Sequence, residues 1–234
     1  MKKEIYNDIE ALDAEKVDEG LDLFMDCDYE AARSLFEEVV QNTPKDYQYQ
    51  YEKAGQIFIK FWYSEQLDLY LNSEKESGGK KIRYAPNAYP KAYYLLGCIC
   101  VQEEKYHEAL EYLEAGHRLE PHNPQFSLLK AEAYVGLGDR KKAVSLYEQV
   151  GEISPWLAGD DKARALRGRG IQLIELGELD AAEESLKESL KYEPESVVAT
   201  SQLKYIQYLR SPGIRLVQYC GSPEEVERWW QSWQ

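Results

Sequence analysis

The chain has 234 residues, 44% of them hydrophobic and 30% charged, with a formal net charge of -14. That composition suits a folded, soluble protein rather than a disordered one, and no apolar run approaches the ~20 residues needed to span a bilayer. The acidity argues against nucleic acid as a partner, because phosphate binding needs clustered Lys and Arg.

The negative charge is concentrated at the start, where residues 1–46 hold 14 Asp/Glu against 5 Lys/Arg. Two readings stay open: a solvated helical face that aids solubility, or a flank that steers a basic partner. Met1-Lys2-Lys3-Glu4-Ile5-Tyr6 leads straight into acidic helical sequence with no secretory signal, so the cytoplasm is the expected compartment. Cys27, Cys98, Cys100 and Cys220 lack metal-ligand spacing and are expected as small apolar side chains in a reducing compartment. No metal or other cofactor is expected.

Taken in chain order, residues 13–46 predict a pair of helices, with Gly20 in the first, Ala32 and Phe36 in the second, and Pro44 after them. From Tyr47 to about Tyr70 the apolar stripe Tyr51, Ala54, Ile57, Phe58, Phe61 and Trp62 predicts one long helix. Asn72 to Lys81 reads as a loop; its Gly78-Gly79-Lys80-Lys81 lacks the full phosphate-loop pattern. Residues 47–89 are therefore expected to be a degenerate repeat with a long loop over 72–89, open to a role in partner contact.

Further helix pairs are predicted over 90–123, 124–157 and 163–196. The turns Leu137-Gly138-Asp139 and Leu176-Gly177-Glu178 place glycine where a left-handed C-cap is needed, and Asp160 or Asp161 can cap the helix that follows. Residues 197–234 predict capping helices. The first runs from Val197 to about Arg210; the second opens at Ser222-Pro223-Glu224-Glu225 and sets Val226, Trp229, Trp230 and Trp233 on one face. That tryptophan face is read as a seal on the array, a dimer contact or a partner anchor, and a monomer or weak homodimer is expected.

The pairs share one phase. Ala32, Ala109, Ala143 and Ala182 lie 77, 34 and 39 residues apart. Pro44, Pro121, Pro155 and Pro194 keep the same spacings, as do the small residues Gly20, Gly97, Ala131 and Gly170. The interval of 77 is read as two units of 34 plus nine residues. A small residue in each first helix lets the second approach, the alanine answers it, and bulky Phe36, Leu113, Tyr147 and Leu186 follow four residues later. Proline then stops the second helix.

This order resembles the tetratricopeptide-repeat family, most closely over Pro90-Lys91-Ala92-Tyr93-Tyr94-Leu95-Leu96-Gly97 through Leu119-Glu120-Pro121. The resemblance implies an all-α, right-handed superhelical solenoid of antiparallel helix pairs over residues 1–234, about five repeats with C-terminal capping helices. It also implies that first helices line a concave groove that holds a protein or peptide segment. Carried over repeat by repeat, that groove comprises Tyr51, Phe58 and Trp62, then Lys91, Tyr94, Cys98 and Val101, then Gln125, Leu128, Glu132 and Val135, and finally Arg164, Arg167, Ile171 and Ile174. Val17 and Leu21 stand where relatives that clamp chaperone C-termini carry Lys and Asn, which argues against that role. Arg164 and Arg167, three apart on one helical face, suit a carboxylate or a pairing with Asp160, Asp161 or Glu175.

Catalysis finds no motif: there is no H-E-x-x-H, G-x-S-x-G or nucleotide fingerprint. The expected function is a non-catalytic protein-interaction scaffold. The alternative that resemblance allows is an immunity protein or secretion chaperone that neutralises one effector.

Overall fold

A computed structural model describes residues 2–62, 67–68, 70–71, 81–153 and 159–210. The chain divides into two compact units, Met1–Ala158 and Gly159–Gln234. The first contains helices α1 (Lys2–Met25) and α2 (Tyr29–Gln41), strands β1 (Gln50–Lys53), β2 (Gln56–Phe61) and β3 (Ile82–Pro86), and helices α3 (Tyr89–Gln102), α4 (Tyr106–Leu119), α5 (Pro124–Gly136) and α6 (Arg140–Ile153). The second contains α7 (Gly159–Glu175), α8 (Leu179–Tyr192) and α9 (Val197–Arg210). No described helix is long and apolar enough to cross a membrane.

The helix pairs close where the small and bulky landmarks meet. A Cβ added to Gly20 would lie 2.5 Å from the Phe36 ring, one at Gly97 would lie 2.6 Å from Leu113 Cδ2, and one at Gly170 would lie 2.7 Å from Leu186 Cγ. Phe36, Leu113 and Leu186 are fully buried, as are the alanines Ala32, Ala109, Ala143 and Ala182. Each bulky side chain thus takes the space that a β-carbon would occupy on the facing helix, which lets the backbones approach closely.

The turn inside each pair is also repeated. Cys27, Glu104, Gly138 and Gly177 all take positive φ, at 63°, 58°, 78° and 80°, and they keep the 77, 34 and 39 spacing of the helical landmarks. In each turn the next residue's N–H reaches back to a carbonyl five residues earlier: Asp28 to Leu23, Lys105 to Cys100, Asp139 to Tyr134 and Glu178 to Leu173. This bond satisfies a carbonyl left free at the helix end. At Cys27 and Glu104 the position is held by residues with a β-carbon, which are strained in that conformation.

The segment after α2 departs from the expectation. The apolar stripe over 47–70 predicts one helix, but β1 and β2 form an antiparallel hairpin that pairs Tyr51 with Phe58 and Lys53 with Gln56. Ala54 (φ 52°) and Gly55 (φ 73°) make its two-residue turn, with both central φ values positive as such hairpins require. β3 then pairs in parallel with β2, giving a sheet of order β1-β2-β3. The physical reason is composition. Tyr, Ile, Phe and Trp favour a pleated surface, and β2 is covered on both sides, so its apolar residues run on continuously rather than alternating with polar ones.

Nor, among the described residues, does a helix pair lie between residues 46 and 90. α2 and α3 belong to one core, in which Phe36 and Val39 pack with Ala88, Tyr89, Ala92 and Leu96. The interval of 77 is therefore one repeat plus an insertion over 47–89, and the helix pairs on either side of it stack as neighbours. Among the described residues there are four helix pairs and the single helix α9, whose Tyr205 and Tyr208 rings stack at 6.3 Å. The expected tryptophan helix (Trp229, Trp230 and Trp233), residues 72–80 of the expected 72–89 loop and Pro155 lie outside the described residues, while Ile82–Pro86 of that loop is strand β3.

Two substitutions test this packing by urea denaturation. Gly97→Ala is expected to cost about 1–3 kcal/mol through overpacking against Leu113, with part of the loss restored in the Gly97→Ala/Leu113→Ala double variant. Glu104→Gly is expected to stabilise by up to about 1 kcal/mol, because it relieves the left-handed strain.

Candidate functional site

The inserted sheet is fixed to the helices by its own side chains. Lys60 and Trp62 share a sheet face with Phe58, since alternate residues point the same way. Lys60 is 7% exposed. Its Nζ lies 2.7 Å from Glu10 Oε2 on α1 and 4.0 Å from the centre of the Tyr47 ring. Burial pulls both charges toward neutrality, raising Glu10 and lowering Lys60, against the attraction between them. Beside the pair, Asn42 Nδ2 donates to Asp13 Oδ1 at 3.0 Å. Tyr89 is raised mainly by burial and then by Asp13.

Trp62 enters a box made by three elements. Its ring lies 4.8 Å from that of Tyr94 on α3 and 5.7 Å, edge-on, from that of Phe126 on α5. Tyr94 and Phe126 are themselves 5.9 Å apart. Trp62 Nε1 donates to Glu120 Oε2 at 2.8 Å, and Asn87 Nδ2 donates to the same oxygen at 3.2 Å. Glu120, at the C-cap of α4, has its carboxyl pushed up to about 7, chiefly by burial, with the donated hydrogen bonds opposing.

The expected groove residues therefore meet different fates. Trp62 and Tyr94 come together, joined by Phe126, Glu120 and Asn87, which the repeat pattern did not mark. Tyr51 and Phe58 lie on strands rather than on a first helix. They stack on each other at 5.2 Å and 5°, with Phe58 four residues along the strand from Trp62. Lys91 is buried and pairs with Asp18 at 3.0 Å, while Leu128 is fully buried in the core. Cys98, Val101, Glu132 and Val135 are half-buried, with Cys98 and Val101 packed on the cluster that contains Trp62 and Leu113.

In the second unit, Arg164, Arg167 and Ile171 are half-buried on α7. Arg167 pairs with Glu193, beyond the end of α8, and also feels the charge of Asp160, one of the acids named from sequence. Burial, and then the adjacent Arg164, lower Arg167. Arg169, unusual at its repeat position, bonds Ser185 on α8.

A separate groove of about 410 Å³ lies between α4 and α5, lined by Leu110, Glu111, Glu114, Arg118, Lys130 and Tyr134. Its buried cation, Lys130, contacts Glu114 at 3.1 Å and His117 Nδ1 at 2.7 Å. Among the described residues no cluster of His, Cys, Asp or Glu is arranged to hold a metal.

Comparison with known proteins agrees with this geometry. A family model described as tetratricopeptide repeat matches residues 101–169. Among solved structures, a thermophilic tetratricopeptide-repeat protein of Thermus thermophilus is 22% identical, with a TM-score of 0.53 over 85% of this chain and 82% of that one. Residues 101–169 carry tetratricopeptide repeats, and the fold is that of tetratricopeptide-repeat proteins. A repeat protein of Parabacteroides merdae is 17% identical, with a TM-score of 0.58 over 85% of this chain and 60% of that one. YrrB, described as a repeat protein with an unusual peptide-binding site, is 17% identical, with a TM-score of 0.52 over 79% of this chain and 71% of that one. Among curated proteins none matches the sequence.

The buried pair that docks the sheet on the repeats has a measurable signature. Lys60→Met, which strands Glu10, is expected to cost about 3–5 kcal/mol in urea denaturation. The Glu10→Met/Lys60→Met double variant is expected to cost much less, because neither charge is left unpaired.

Proposed function

We propose that this tetratricopeptide-repeat protein is a non-catalytic interaction scaffold, acting in the cytoplasm. Its first-unit contact strip is formed by Tyr94, Cys98 and Val101 of α3 with Glu132 and Val135 of α5. Residues 94, 98 and 101 are spaced i, i+4, i+7, and so are 128, 132 and 135, so each set shares one helical face. The strip mixes an aromatic ring, small apolar groups and a carboxylate, and its members are only half-buried.

One observation carries this reading. An extended segment of the chain itself already rests at the edge of the strip, with Trp62 seated between Tyr94 and Phe126. A surface that accepts one extended segment through an aromatic anchor has the features by which an extended peptide is held. The partner is a protein or peptide segment. Exposed Glu15, Glu19 and Asp22 on α1 favour one carrying positive charge. Arg164 and Arg167 on α7 are a second proposed contact, suited to a carboxylate.

Quantitative affinity capture from the native host tests both contacts. The Val101→Glu/Glu132→Lys variant, checked for helical content by circular dichroism, is expected to lose partner signal by tenfold or more. Wild-type capture is expected to weaken with added salt. An unchanged partner list overturns the strip, and unchanged capture by Arg164→Glu/Arg167→Glu overturns the second contact.

A further inference from the structure

We propose that Glu120 is a proton-operated latch: protonated, it holds the inserted sheet against the repeats, and ionised, it loosens that sheet from the Tyr94–Phe126 face. The geometry supports this directly. Glu120 is only 6% exposed, and one of its oxygens receives a hydrogen bond from Trp62 at the end of β2 and another from Asn87 just after β3. Both strands that flank the insertion's connection are thus tied to one carboxyl group at the end of α4. Undocking the sheet removes Trp62 from the carboxyl and opens it to water.

The surroundings explain why protonation counts here. On the insertion side stand Lys60, whose ammonium is engaged by Glu10, and Tyr47, whose phenol is raised first by burial and then by Glu10 and Glu120. α1 contributes Glu10 and Asp13, and α3 contributes Tyr89 and Tyr94. α4 and the turn after it contribute His117 and His122. His117 Nε2 faces the Pro121 carbonyl at 3.1 Å and Nδ1 faces Lys130; burial and then Lys130 lower it. The side chains that favour an ionised Glu120 are the neutral Trp62, Asn123 and Asn87, which stabilise a carboxylate less than a cation would.

The direction follows from linkage. The docked carboxyl titrates near 7 and the exposed one near its ordinary 4.5, so the docked state binds more protons between those values. Docking is therefore favoured at low pH and weakens as pH rises through that window, levelling off above about 7. Between pH 6 and pH 8 the docking constant falls about tenfold. Loosening the sheet uncovers Tyr94 and Phe126, which enlarges the strip proposed for a partner; that consequence rests on the scaffold reading, whereas the latch does not.

Amide hydrogen exchange of peptides spanning 56–62, corrected for the intrinsic pH dependence of exchange, reads sheet opening with no partner present. Wild type is expected to open about tenfold more at pH 8 than at pH 6, and Glu120→Gln, which keeps the shape and an acceptor, is expected to be flat over that range. Trp62→Phe keeps a ring but removes the donor, and is expected to open more at pH 8 than wild type does. A wild-type change below twofold, or the same pH dependence retained in Glu120→Gln, overturns the latch. So does a dependence abolished by His117→Gln or His122→Gln. Should Glu120→Gln lose its helical circular dichroism, the wild-type profile with the Trp62→Phe and histidine variants still decides.

Discussion

The close approach of paired helices, made in three of the four described pairs by a bulky side chain seated where its partner helix has no β-carbon, is the contact on which the fold depends. Gly20 faces Phe36, Gly97 faces Leu113 and Gly170 faces Leu186, in each case sixteen residues along the chain. That single contact fixes how far apart the helices lie. The left-handed turns at Cys27, Glu104, Gly138 and Gly177 then set the angle at which the chain returns. Two of the four turns use a strained residue and keep the same bond pattern, so packing of the pair overrides local backbone preference. Repeats built this way are stabilised mainly by their neighbours, and the packing of α2 on α3 in one core keeps that continuity across 43 inserted residues.

The insertion is attached on different terms. Its anchors are Lys60 with Glu10, and Trp62 and Asn87 with Glu120, all polar contacts in a buried setting. Such contacts contribute little net stability, because desolvation offsets much of the attraction, but losing one partner is costly. They therefore fix register better than they add strength. The extra length of α1 serves this purpose, since Glu10 lies N-terminal to the first repeat and meets the sheet rather than another helix.

The helical repeats were legible because each landmark has one physical task and recurs at one spacing. The sheet was not, because a strand covered on both faces carries no period-2 signal, and Ile57 to Trp62 also satisfied a wide helical stripe. The signals against a helix were local: the aromatic and β-branched density, and the Ala54-Gly55 pair. Assuming that every interval is a multiple of the repeat hid them, and the same assumption placed Tyr51 and Phe58 on a groove helix. Leu128 was misjudged for another reason. Repeat position gives the direction in which a side chain points but not what covers it. Glu120 gave no signal at all, since a carboxylate at the end of a surface helix is ordinarily solvated, and only the tertiary placement of Trp62 and Asn87 buries it.

These two modes of attachment divide the molecule's tasks. The scaffold is held chiefly by apolar interdigitation, with ion pairs such as Lys91–Asp18 and Lys130–Glu114 at the edges of its helix contacts. The inserted sheet is held through Glu10, Lys60 and Glu120, whose charge states respond to conditions, and it is tied to the first-helix face at Tyr94 and Phe126. The charge states that attach the sheet therefore lie beside the proposed contact strip. Loosening the sheet need not unstack a helix pair, because α2 and α3 already pack directly. A local opening of that kind draws on the low-stability end of the structure, which leaves the repeats as a fixed frame for whatever segment replaces Trp62.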